Sequence, residues 1–147
     1  MAKKIKDLPI QPIIKINGIE LIRSFQNNYP NTNPDKTEHF SFDVTFEQRV
    51  REELKLLFCV LNVNILSDKA EAFVGGITVS CEFSIENFSD LIKLNKNGLY
   101  DIPSELERIF NTITYSTARG MMFNIFKGTN LGNAILPISD LSNLKSK

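Results

Sequence analysis

From Phe40 to Phe46 the letters FSFDVTF alternate without a break, with Phe40, Phe42, Val44 and Phe46 on one face and Ser41, Asp43 and Thr45 on the other. A side-chain period of two belongs to an extended chain with one buried face, so this stretch predicts a half-buried β-strand. Leu56 to Leu66, LLFCVLNVNIL, is apolar at nearly every position, with Leu57, Cys59, Leu61, Val63 and Ile65 on the cleaner face. It reads as a central strand covered on both sides. Ala72 to Ile85, AFVGGITVSCEFSI, alternates again and assigns Phe73, Ile77, Val79, Cys81, Phe83 and Ile85 inward against Val74, Thr78, Ser80, Glu82 and Ser84. The SDKAE turn between the last two runs favours an antiparallel hairpin.

Upstream, IIKINGIELIRSF from Ile13 to Phe25 is a weaker strand pattern, interrupted by Asn17-Gly18 as a bulge or a tight turn. Gln26 to Glu38, QNNYPNTNPDKTE, is dense in turn formers and holds Pro30 and Pro34, which excludes regular structure. A loop of that length in a small domain is either a crossover between non-adjacent strands or a functional loop. The polar stretch from Ile85 to Gly98 carries Phe88, Leu91, Ile92 and Leu94 and predicts at most a short helical turn.

Beyond it Pro103 and the pair Ser104 and Glu107 mark a helix start, an early proline and a capping box competing for the first turn. Ile102, Leu106, Ile109, Phe110, Ile113, Ala118, Met121, Met122 and Ile125 recur at three- and four-residue spacing, so one long helix runs to about Phe126 and stops near Gly128. The expected architecture is α+β: an antiparallel sheet of about four strands with a crossover loop, covered by one long C-terminal helix, in a single domain over residues 1–147.

Composition changes this picture little. Of 147 residues 42 % are hydrophobic and 23 % charged, a globular balance that argues against wholesale disorder and membrane insertion. Seventeen basic residues offset seventeen acidic ones, which gives no electrostatic reason to expect nucleic acid as a partner. The start MAKKIKDLPI has no apolar run of signal-peptide length, and Pro9 and Pro12 break up the apolar residues near it, so a cytoplasmic location is expected. Cys59 and Cys81 sit in apolar strand patterns and read as small buried thiols in a reducing compartment.

Candidate chemistry is thin. His39 is the sole histidine and reads as a surface residue at a strand start, with no nucleophile or second ligand at a useful spacing. One histidine and two separated cysteines supply no metal-ligand pair, and Gly75-Gly76 opens no helix and so is no phosphate loop. Neither a catalytic role nor a cofactor is expected.

The order of elements and three local matches resemble the SecB protein-export chaperones. Ala72-Phe73 and Phe83-Ser84-Ile85 stand at the family's separation, as do Ala118-Arg119, Lys127-Gly128, and Pro137-Ile138 with Asp140. The crossover loop before FSFDV also falls where the family has one, so the likeness spans most of Ile13 to Leu141. It implies an ATP-independent holdase, a homotetramer that binds unfolded or export-destined polypeptides in long apolar grooves. Two departures bear on the SecA motor, a partner of that family. The acidic strand position directed toward SecA is Gly76 or its neighbour here, and the chain closes on LSNLKSK, basic and short of a second full helix. These departures favour an alternative within the same fold, a protein dedicated to one partner such as an antitoxin or a single secreted substrate. A small-molecule site in the cleft between helix and sheet is the third reading and lacks convergent polar groups.

Each idea points to particular residues. Phe25 and Tyr29, beside the crossover loop and held away from the regular sheet, are expected to bind client. Met121, Met122, Phe123 and Phe126 cannot all face one sheet from a single helix, so some of them should meet a second subunit or a client.

Overall fold

The computed structural model describes residues 11–28 and 38–138. Strands β1 (Ile14–Gln26), β2 (Phe40–Arg51), β3 (Leu56–Ser67) and β4 (Ala72–Ile85) form one antiparallel sheet in the order β1-β4-β3-β2. Hairpins join β2 to β3 and β3 to β4. β1 instead lies against β4, so residues 27–39 connect opposite edges of the sheet. The proline- and asparagine-rich segment is thus a crossover, one of the two roles its composition allowed. A short helix α1 (Phe88–Leu91) and a small ribbon of β5 (Lys93–Leu94) with β6 (Tyr100–Asp101) lead to the long helix α2 (Ser104–Phe126).

Helix α2 packs on β3 and β4. Its buried side chains Leu106, Phe110, Ala118, Met122 and Phe126 meet the row Leu57, Cys59, Leu61, Val63 and Ile65 of β3 and Ile77, Val79, Cys81, Phe83 and Ile85 of β4. Phe83 and Phe110 meet at the centre with ring centroids 4.6 Å apart and ring planes tilted by 43°. The helix begins one residue later than a proline-first turn requires: Pro103 is the capping residue, and Ser104 Oγ contacts Glu105 Oε2 at 3.2 Å instead of closing a capping box. It ends before Gly128, whose φ of 79° only glycine adopts without strain.

Four strand details depart from the alternation. First, Asn17 and Ile22 are each skipped in the β1–β4 register, so the Asn17-Gly18 interruption is a bulge inside a continuous strand. Second, the β3–β4 register jumps from Ile65↔Gly75 to Leu66↔Phe73, which leaves Val74 as an extra residue. That bulge inverts the phase: Val74 is buried and Phe73, expected inward, is 47 % exposed. Third, β2 continues through Arg51 although its second half is polar. The inward positions persist as Gln48 and Val50, and Arg49 bonds Glu47 along the outer face at 3.0 Å. Fourth, only one face of β3 is covered. Leu56, Phe58, Val60 and Asn62 on its other face are half-buried, because the described residues form one helical layer and that layer lies on the opposite side.

Cys59 and Cys81 are directly opposed on β3 and β4, both fully buried with free thiols. The Cys59 thiol donates to Asn111 Oδ1 at 3.4 Å, and burial pushes its pKa up to about 12. A thiol-directed reagent at neutral pH is expected to leave both cysteines untouched in the native protein and to modify both after denaturation. The raised pKa also sets a pH dependence. Below about pH 9 both states hold the proton; between about 9 and 12 only the folded state does, so stability falls as pH rises, by at most ~1.4 kcal/mol per pH unit from this group. Alkaline denaturation midpoints of the native chain and Cys59→Ala check this, the variant showing the shallower fall.

Candidate functional site

The apolar row of β2 is not fully covered by α2. Phe40, Phe42 and Val44 stay half-buried while Phe46 is closed over, so the helix-side surface opens toward the start of the strand. Across from it the chain leaving α2 folds back on the domain. Thr129 Oγ1 bonds the Phe126 carbonyl at 2.7 Å and receives the Leu131 N–H at 3.1 Å, and Leu131, Ala134 and Leu136 are buried. These anchors leave Ile135 and Pro137 facing outward.

Between the strand and the returning loop lies an open trough of about 490 Å³, lined by Phe40, Ser41, Phe42, Val44, Tyr115, Ile135 and Pro137. Besides Ser41 its polar side chain is Tyr115 on α2, whose phenol donates to the Pro137 carbonyl at 2.7 Å. Burial holds that phenol above its ordinary pKa, with the nearby Arg119 cation opposing in part, so it remains a donor at any physiological pH. The trough ends where β2 turns polar: Gln48 Nε2 donates to Asn111 Oδ1 at 3.2 Å, and the buried Asn111 Nδ2 has no acceptor among the described residues.

Such a surface offers apolar side chains to a ligand, with Ser41, Tyr115 and main-chain groups as its polar elements. Among the described residues no group of three or more His, Cys, Asp or Glu side chains converges on a point, and no helix is long and apolar enough to cross a membrane. His39 is exposed and uses its main chain only, accepting from the Asp68 N–H at 3.2 Å and donating to Asp68 Oδ1 at 3.1 Å.

The sequence-predicted residues that fall among the described ones are dispersed over the chain. Phe25 lies within β1, not in the loop: it pairs with Gly76, and the Arg23 guanidinium sits 5.0 Å from the centre of its half-buried ring. Tyr29 lies outside the described residues. Met122 and Phe126 are buried in the core of the chain and Met121 packs half-buried against it, whereas Phe123 is 54 % exposed. The trough residues were legible only as a strand face and a helix stripe. Nothing in the sequence singled out Tyr115, which lies between Ile113 and Ala118 of the helical stripe.

A scan against known protein families finds no match for this sequence, and neither does a search of curated proteins. The fold does match solved structures. The SecB-like chaperone of Mycobacterium tuberculosis, in complex with a ChAD peptide from an antitoxin, superposes with a TM-score of 0.62 at 11 % identity over 86 % of this chain and 90 % of that one. A protein of unknown function from Streptococcus agalactiae aligns at a TM-score of 0.45 and 13 % identity, over 88 % of this chain and 98 % of that one. The chain therefore has a SecB-like α+β fold.

Proposed function

We propose that this protein is a non-enzymatic, nucleotide-independent polypeptide-binding protein that holds a segment of one dedicated partner protein in the trough along β2. The trough itself carries the reading: an open, largely apolar channel bordered by a sheet edge, with Ser41 and Tyr115 as its polar residues, suits an unfolded or extended chain better than a compact metabolite. That the Mycobacterium tuberculosis neighbour is a chaperone bound to an antitoxin peptide supports the choice of a dedicated partner over a broad client pool. A general holdase for unfolded or export-destined chains in the cytoplasm is the second reading, favoured by the breadth of exposed apolar surface. SecA coupling draws no support from Gly75 and Gly76, which are buried.

A homo-oligomer, a tetramer by resemblance, belongs to the same proposal. Ile16, Ile19 and Leu21 of β1 turn toward the helix side of the sheet, yet they are 43 %, 52 % and 38 % exposed because α2 does not reach that edge. Phe123 adds an exposed aromatic ring on the helix itself. A second copy would cover such surface, and Phe25, with Tyr29 outside the described residues, remains a candidate for client contact.

Native capture from the source cell, paired with suppression of aggregation of a chemically unfolded model protein, tests the reading. One stoichiometric partner with weak general suppression is expected. Many partners with strong suppression would establish the general holdase, and neither activity would remove both.

A further inference from the structure

The open edge of β2 has a definite polarity that the side-chain pattern does not reveal. In an antiparallel pair, residues directly opposite each other alternate between pairs that exchange main-chain bonds and pairs that do not. The Asp68 N–H donates to the His39 carbonyl, and Asp68 and His39 continue the register Phe40↔Ser67 by one step. Odd-numbered residues of β2 therefore bond to β3. The other side of β3 agrees: the Ile85 N–H donates to the Lys55 carbonyl, so odd residues of β3 bond to β4 and its even residues are left for β2. It follows that the N–H and C=O groups of Phe40, Phe42, Val44 and Phe46 point to the open edge. Phe40, Phe42 and Val44 also line the trough with their side chains.

We infer that the trough is occupied by an extended polypeptide segment that adds a fifth strand to the sheet along β2, its apolar side chains at every second position entering the trough and a basic residue on its other face lying beside Asp43. The inference rests on the polypeptide-binding reading above. In a sheet, residues opposite each other share a face, so any residue paired with Phe40, Phe42 or Val44 sends its side chain over Tyr115, Ile135 and Pro137. The alternate residues fall beside Ser41, Asp43 and Thr45. Asp43 is exposed and faces Asn64, with no cation paired to it among the described residues, so the added strand supplies the missing charge. β2 is also the better template of the two edges. It pairs with β3 over its full length without a register shift, whereas β1 carries two bulges that break the regular spacing an added strand needs.

The experiment uses the full chain and the synthetic peptide acetyl-Thr-Phe-Lys-Val-Thr-Leu-Lys-Val-Thr-amide, its single-site backbone N-methylated variants, and a chemically unfolded model protein. Amide exchange is read by NMR alongside affinity. The unmethylated peptide is expected to bind and to slow exchange at Phe40, Phe42, Val44 and Phe46 on the order of tenfold or more, leaving their odd-numbered neighbours, already bonded to β3, unchanged. Methylation in one alternate set of peptide positions is expected to weaken binding on the order of tenfold per site, and in the other set not at all. Sensitivity at Phe, Val and Leu identifies antiparallel addition, and sensitivity at Thr and Lys parallel addition. Asp43→Lys is expected to weaken this peptide roughly two- to fivefold and its Lys-to-Gln analogue much less.

Binding that is indifferent to methylation at every site overturns the added strand and leaves polypeptide binding intact. So does binding of the unfolded protein with no binding of the peptide. Protection of the even amides without peptide, rising with protein concentration, would assign the edge to a second copy of this chain and overturn the inference. Failure of both peptide and unfolded protein to bind would remove the functional reading together with it.

Discussion

Replacing Gly76 by alanine is expected to lower stability by on the order of 3 kcal/mol, which in a domain of this size is a fall of about 10 °C in Tm. Gly76 lies between two strands, opposite Phe25 on β1 and Asn64 on β3. A methyl group there would come within 2.4 Å of the Val63 carbonyl oxygen and 2.7 Å of Phe25 Cε1. The carbonyl belongs to the β3 backbone and cannot retreat without disturbing the ladder. The ring could swing aside only by giving up its place against Gly76 and under the Arg23 guanidinium. Backbone conformation is not the cause, since φ at Gly76 is outside the left-handed region. Gly18 supplies the control, with nothing within 4 Å of the corresponding position. Gly18→Ala should be neutral or add a few tenths of a kcal/mol through the unfolded chain. Equal melting curves for the two variants would refute the close packing of β1 on β4 through Phe25 and Gly76.

That pair also shows where reading the chain stops. The strands, the crossover, the bulge at Asn17 and the extent of α2 each rest on a local pattern: alternation, a cluster of turn formers, a three-four repeat. Phe25, last residue of the strand pattern, was expected to be held away from the sheet because the turn formers begin directly after it, and nothing near it in sequence says that a glycine on a distant strand leaves a hollow for its ring. Phe73 was turned inward by the same alternation that is right for Ile77 to Ile85; one extra residue at Val74 reverses it, and a bulge leaves no mark when the residue beside it is also apolar. Gln48 ended the apparent strand because its inward partner, Asn111, is on α2. The trough was invisible for a related reason. Its walls come from β2, α2 and the returning loop, and each reads alone as ordinary core, so the site exists only where α2 leaves the strand uncovered.

The second large effect is expected in that trough. Phe42→Ser with Ile135→Ser should weaken binding of an unfolded model protein by roughly thirtyfold. Full burial of such a side chain is worth on the order of 1.5–3 kcal/mol. Phe42 is already half-buried and Ile135 is 49 % exposed, so about half of that remains to be gained from a ligand at each site, together about 2 kcal/mol. Because the other half is already realised in folding, stability falls as well, and affinity alone would not locate the site. Two single variants separate the terms. Phe123→Ser, exposed on the outer side of α2, should leave affinity unchanged if client is held in the trough alone, and any fall in Tm should then follow the loss of a second copy from that surface. Phe25→Ser should lower Tm through the lost contact with Gly76 and reduce affinity little. If instead Phe123→Ser or Phe25→Ser weakens binding as much as Ile135→Ser does, measured well below each variant's melting temperature, the client lies on the helix or along β1 and the trough is only a seam between the strand and the loop. An affinity loss confined to Phe42 and Ile135 places the ligand along β2.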